Sequence, residues 1–327
     1  YYAWSTHAID DTAARGLHFT PHGVVLVASP WNFPYAIPAG GILAALAAGN
    51  AVIFKPAPEV RAAGLALAEQ LWRAGVPRDL VQFVATPDDE VGRRLVAHER
   101  VDTVVLTGAY ETAQLFRSWK PSIRLLAETS GKDSMIITAA ADEDAAIKDL
   151  VRSAFGHAGQ RCSAASLAII EAGLYDDPSF LRRLADAVLS VRVGPAAELA
   201  TMMGPLSREV QRERVESLIA AGVEEGAQIA FGGKRPAHLD RGFFVEPTLF
   251  VGVDNGMRIA QEEFFGPVAV VIPFTDDDDA VRIANDSPYG LSGAVQSGDP
   301  ERAWAVARRV RTGTMGINGG VWYGVDV

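Results

Sequence analysis

The sequence predicts a two-domain α/β protein, a doubly wound parallel sheet followed by a second α/β domain. Through the first half, short continuous apolar runs alternate with longer amphipathic ones. That alternation marks strands buried on both faces with helices laid over them. Strand starts near 24, 51, 80 and 103 recur at roughly 25–30 residues, the size of a strand–helix–strand unit. A chain of 327 residues also exceeds one typical domain.

Val24-Val25-Leu26-Val27-Ala28 is the first strand, and Pro38 to Ala48 the first helix, closed by the C-cap signal Gly49-Asn50. Ala51-Val52-Ile53-Phe54 is the second strand. Arg61 to Ala74 is a helix ended by Gly75 and Pro77. Leu80 to Val84 is a strand, Asp89 to His98 a short helix and Thr103 to Leu106 a strand; Leu125-Leu126-Ala127 and Ser134 to Thr138 follow as strands. Right-handed crossovers make such an array parallel, and nucleotides bind at the carboxyl ends of its strands. Lys55 and Gly108 stand at two of those ends.

Beyond a boundary expected near Ala139-Ala140, Ala145 to Phe155 reads as a helix, Ser166 to Ile170 as a strand and Ser207 to Glu225 as a long amphipathic helix. Asp276 to Asp279 fits either a helix N-terminus, where acids suit the dipole, or a solvated loop. The expected division is 1–139 for the nucleotide-type domain, 140–318 for the second, and 319–327 for the start of a further segment.

The formal net charge of −10 argues against nucleic acid, whose phosphates need a basic footprint. No apolar run reaches bilayer length. A single cysteine cannot form an internal disulfide and fits a reducing cytoplasm. The six histidines are scattered, and no metal site is expected.

Three runs carry candidate chemistry. Cys162 sits among polar neighbours in Gly159-Gln160-Arg161-Cys162-Ser163. A lone cysteine is most often a small buried hydrophobe, but a nearby cation favours the thiolate, which can attack a carbonyl and hold the product as a thioester. Glu128, in Glu128-Thr129-Ser130-Gly131-Lys132, is either an exposed turn acid or a base for activating water. Asn32, in Ser29-Pro30-Trp31-Asn32-Phe33-Pro34, either forms its turn or offers an amide N–H to an oxyanion.

These runs, with Glu262-Glu263-Phe264-Phe265-Gly266-Pro267, stand in the order and spacing of the aldehyde dehydrogenase superfamily, which the chain resembles from about Gly23 to its end. The resemblance implies a dinucleotide-binding domain followed by a catalytic domain. It makes Cys162 the nucleophile, Glu128 the general base and Asn32 an oxyanion donor. It further implies NAD, with NADP possible. Trp31, Lys55, Glu59, Gly108, Glu263 and Phe265 become its expected contacts, and Phe33 and Ser163 face a small-molecule aldehyde. Lys55 and Glu263 match the family's ribose-holding lysine and acid. The family's second ribose acid often follows that lysine by three residues, where this chain has Pro58, with Glu59 next. Thr107-Gly108-Ala109 lacks the usual serine at 109. His157 has no part in the shared mechanism.

Phe155 to Ala164 resembles the glutamate-semialdehyde (1-pyrroline-5-carboxylate) branch, with Ser163 a candidate for holding the substrate carboxylate. From about Met203 the chain is more similar to general aldehyde dehydrogenases. Its loop Asn318 to Gly324 carries Trp322 and Tyr323, which imply a more apolar mouth, where the semialdehyde branch has a Gly-Ala pair. A hybrid of two paralogues would give this pattern. A CoA-acylating enzyme and a non-catalytic nucleotide-binding fragment are the rival readings. Sequence continues past both ends in the resembled family. The chain is therefore expected to be a fragment of a homo-oligomeric parent, lacking part of the cofactor domain and an assembly strand.

Overall fold

In the computed structural model, residues 20–87 and 89–321 are described. The chain divides into two compact units after Thr129. Among the described residues the first is built on five parallel strands: β1 (Val24–Ser29), β2 (Ala51–Pro56), β3 (Val81–Phe83), β4 (Thr103–Gly108) and β5 (Arg124–Thr129), in the order β3-β2-β1-β4-β5. Alternate residues of β1 feed opposite faces, as the period of a strand requires. Val25 and Val27 pack with Ile42, Phe54 and Leu67 on one side, under the Ala36–Ala47 and Arg61–Arg73 helices. Leu26 and Ala28 pack with Val96, Val104 and Phe116 on the other, under the Glu90–Ala97 and Tyr110–Trp119 helices. The unit is thus doubly wound.

The first helix ends as Gly49-Asn50 predicts. The Gly49 N–H donates to the Leu46 carbonyl and the Asn50 N–H to that of Ala45, satisfying carbonyls the helix leaves open. The buried Asn50 side chain then accepts from the main-chain N–H groups of His22 and Gly23, fixing the entry into β1.

Among the described residues the second unit holds seven strands: β6 (Asp133–Ile137), β7 (Ala165–Glu171), β8 (Gln228–Phe231), β9 (Thr248–Val251), β10 (Val268–Phe274), β11 (Ser292–Gln296) and β12 (Thr314–Ile317). Their order is β12-β11-β6-β7-β10-β9-β8, and every pair is parallel except β8 with β9. The central strands are almost wholly buried in one core, under helices that include Glu143–Phe155, Pro178–Leu189 and Glu209–Glu224. Asp276 caps the Asp277–Asn285 helix by accepting from the Asp279 N–H, so the acidic run is a helix N-terminus and not a loop.

The boundary expected at Ala139-Ala140 moves to Thr129–Ser130. Strand β6 continues the apolar rhythm of the first half, but its partners are β7 and β11 of the second sheet. The division expected after Asn318 also shifts. Gly319 accepts a hydrogen bond from Gln296, and the buried Val321 donates to the Ser153 hydroxyl, so 319–321 pack within the second unit. Trp322 and Tyr323 lie outside the described residues.

Candidate active site

In the first unit the chain runs β1-β2-β3 outward on one side and β4-β5 on the other, so connections diverge between β1 and β4. In open α/β sheets a crevice for ligands forms at the carboxyl ends of such a pair. The turn 29–34 follows β1, with Asn32 buried and Trp31 and Phe33 half-buried. Asn32 is 6% exposed. Lys55 pairs with Ala28 in the parallel register and is buried at 8% exposure. Gly108 closes β4, and the helix Tyr110–Trp119 begins directly after Ala109, which supplies no side-chain cap. A strand end, a glycine and an uncapped helix N-terminus suit a phosphate. Glu59 is exposed in the short turn Pro58–Val60. Glu128 pairs with Thr107 and is exposed on β5, the edge strand.

In the second unit three of the sequence runs meet. The cysteine loop leaves the Glu143–Phe155 helix through left-handed backbone: His157, Ala158 and Gly159 have φ of 59°, 54° and 65°. Left-handed non-glycine residues cost energy and persist only where their surroundings hold them. Here the restraint is close packing. A Cβ on Gly159 would collide with the Gly266 carbonyl and stand 3.0 Å from the Pro267 nitrogen. Gln160, also buried, accepts from the Ser207 N–H at 2.8 Å. The Arg161 guanidinium donates to the carbonyls of Arg152 and Ser153 at 3.3 and 2.8 Å. Burial lowers the Arg161 pKa, while Cys162 opposes that as a thiolate would. Cys162 is half-buried and Ser163 buried.

A Cβ on Gly131 would collide with the Cys162 carbonyl oxygen and stand 2.8 Å from Asp133 Oδ2. The Gly131 N–H donates to Glu263 Oε1 at 2.8 Å. Burial raises the Glu263 pKa, opposed by that bond, by Ser130 and by the charges of Arg214 and Lys132. Phe265 is left-handed at φ 51°, and Gln211 clamps this turn by donating to the carbonyls of Phe264 and Phe265. Sequence reasoning singled out Cys162, Ser163, Glu263 and Phe265, and the structure gathers their runs in one unit. It missed Asp133. Adjacent opposite charges at Lys132-Asp133, opening the apolar run Ser134 to Ile137, were the available signal.

Lys132 is buried, donates to the Ile259 carbonyl and lies over the Phe264 ring. Burial lowers its pKa to about 7, against Glu263, Asp133 and Glu262. Asp133 is pushed up to about 7, first by burial, with Ser292 hydrogen bonds opposing and Glu263 adding. Among the described residues no three His, Cys, Asp or Glu side chains are grouped to hold a metal, and no helix is long and apolar enough to cross a membrane.

The aldehyde dehydrogenase family profile matches residues 5–327. Geranial dehydrogenase of Castellaniella defragrans is 41% identical, over 91% of this chain and 62% of its own length. A 1-pyrroline-5-carboxylate dehydrogenase of Geobacillus thermodenitrificans is 38% identical, over 92% and 59%. Betaine aldehyde dehydrogenase from Staphylococcus aureus, solved in complex with NAD+, superposes with a TM-score of 0.89 at 35% identity, covering 94% of this chain and 61% of that one. The chain therefore spans about three fifths of the length of these relatives. With its motifs in order, two α/β units and a family match across almost its whole length, the chain belongs to the aldehyde dehydrogenase family.

Proposed function

We propose that the chain is the cofactor-binding and nucleophile-bearing part of an NAD(P)-dependent aldehyde dehydrogenase that makes a carboxylic acid through a thioester on Cys162. The observation that carries this is the convergence on the cysteine loop. Gly131 and Gly266 back the loop carrying half-buried Cys162, and the neighbouring Arg161 guanidinium is held by the Arg152 and Ser153 carbonyls. A loop held in this way supports the nucleophile reading over that of a cysteine lost in a core.

The residues present fit a dinucleotide. The crevice between β1 and β4, buried Lys55 and the Gly108 turn suit ribose and phosphate, and Glu263 is an acid for the second ribose. When bound, the nicotinamide supplies the hydride acceptor for the oxidation. Cys162 Sγ adds to the aldehyde carbon, forming a C–S bond and an oxyanion. The Asn32 amide and the Cys162 N–H donate to that oxyanion. After hydride loss restores the carbonyl as a thioester, Glu128 takes a proton from water. The water oxygen bonds to the carbon, the C–S bond breaks and Cys162 leaves as thiolate.

For the substrate, the Phe155 to Ala164 run favours L-glutamate γ-semialdehyde, with Ser163 at its carboxylate. A general aldehyde is the second reading, favoured by Asn318 to Gly324 and by a geranial dehydrogenase among the relatives. Action in a reducing cytoplasm, as part of a homo-oligomer, accompanies this function. The test is an aldehyde panel with NAD and NADP on this chain and on its full-length parent. Semialdehyde turnover by the parent, lost in Cys162→Ala with nucleotide binding retained, is expected. Nucleotide binding without turnover in the parent would leave a binding protein, and CoA-dependent release would give the acylating class.

A further inference from the structure

We propose that Asp133 is a positioning residue for the nucleophile loop, its Oδ1 anchoring the start of β11 and its protonated Oδ2 backing the main-chain carbonyl of Cys162. The inference rests on the function proposed above. Asp133 opens β6 and is 2% exposed. Its Oδ1 accepts from both the N–H and the hydroxyl of Ser292, at 2.6 and 2.9 Å. Its Oδ2 is fully buried, with no hydrogen-bond partner among the described residues. The same Gly131 hydrogen direction faces both Oδ2 and the Cys162 carbonyl oxygen.

A buried carboxylate oxygen without a donor is costly. Protonation removes the charge and turns Oδ2 into a donor, and the carbonyl across Gly131 is an acceptor. The charged groups around it agree: Glu263 disfavours a second anion, while Lys132 and Arg161 are themselves disfavoured as cations by burial. The carboxyl thus ties β6, β11 and the cysteine loop at one point. When it ionises, it places a negative charge beside the cysteine loop and loses the proton it can offer to the Cys162 carbonyl.

Asp133→Asn keeps an acceptor for Ser292 and puts an uncharged N–H donor where Oδ2 stands, whereas Asp133→Ala removes both. Two measurements avoid turnover: the pH profile of Cys162 alkylation by iodoacetamide, and amide hydrogen exchange over residues 160–164. In wild type the alkylation rate should climb less steeply above neutral pH than one ionisation allows. Asp133→Asn should follow a single ionisation and react about tenfold faster at alkaline pH, as loss of a nearby buried charge predicts. Its loop exchange should stay as in wild type. Asp133→Ala should exchange about tenfold faster over 160–164, the scale of one lost buried hydrogen bond. An Asn profile superimposable on wild type, or an Ala variant whose loop exchanges no faster, would overturn the proposal. If the Ala variant does not fold, the Asn profile decides alone. Absent aldehyde turnover in the parent, with both signatures present, would remove the enzymatic reading and leave the positioning role standing.

Discussion

The Gly131 N–H donates to the Glu263 carboxylate at 2.8 Å, while the α-carbon of the same glycine lies against the carbonyl oxygen of Cys162. One residue without a side chain thus couples the turn 262–267 to the cysteine loop. Gly131→Ala should therefore displace the loop, because the obstacle is backbone and cannot swing aside. A cost of about 1–3 kcal/mol is expected, the scale of overpacking, with slower alkylation of Cys162. Denaturation midpoints and iodoacetamide kinetics measure both, and an alanine variant with wild-type values would show that the loop yields freely.

Asn32 is buried in the turn that follows β1. If it serves a transient oxyanion, Asn32→Ala should lower kcat of the parent enzyme by roughly 10²–10³, the usual loss for one such donor. A change confined to KM would assign the amide to uniform substrate binding instead.

Glu128 is exposed on the edge strand, where a base can reach water. Glu128→Gln keeps the shape and removes the base. A burst of reduced cofactor followed by a slow steady state is expected in the parent, with an acyl adduct on Cys162 visible in the intact mass. Absence of both burst and adduct would place Glu128 before the thioester, and wild-type turnover would leave it an ordinary surface acid.

Much of this was legible in the sequence, and the gaps have physical causes. Val24 to Ala28 could be read as a doubly buried strand because the run has no polar face, and its two faces do feed two cores. Strand β6 has the same local character, but membership of a sheet is set by partners far along the chain. Ser134 pairs with Leu167 on one side and Gly293 on the other, which no local pattern reveals. In the cysteine loop only Gly159 announces left-handed backbone. His157 and Ala158 adopt it in a segment packed against Gly266. Asp133 hid for a related reason: a carboxylate at a strand start reads as solvent-facing until the strand beside it is known.

The pair Lys132 and Asp133 should give stability an unusual pH dependence. Asp133 rises from 3.8 to about 7 on folding, so between those values the folded state holds the proton that the unfolded state has lost. Stability from this group therefore falls as pH climbs through that window and is constant above it. Lys132 drops from 10.5 to about 7. Above its folded value the unfolded chain binds the extra proton, so stability from this group rises with pH up to the unfolded value and is lowest below about pH 7. Together they place a minimum near neutrality, where both buried groups carry their full cost. Asp133→Asn should gain on wild type as pH rises from about 4 to 7, reaching about 4 kcal/mol for a shift from 3.8 to about 7. Lys132→Met loses its bond to the Ile259 carbonyl at every pH. Relative to wild type it should nevertheless fare best below neutrality and lose ground as pH rises toward 10, roughly the unfolded lysine pKa. Urea midpoints for the three proteins across this range provide the check. Differences that stay flat with pH would mean that neither group changes its proton affinity on folding.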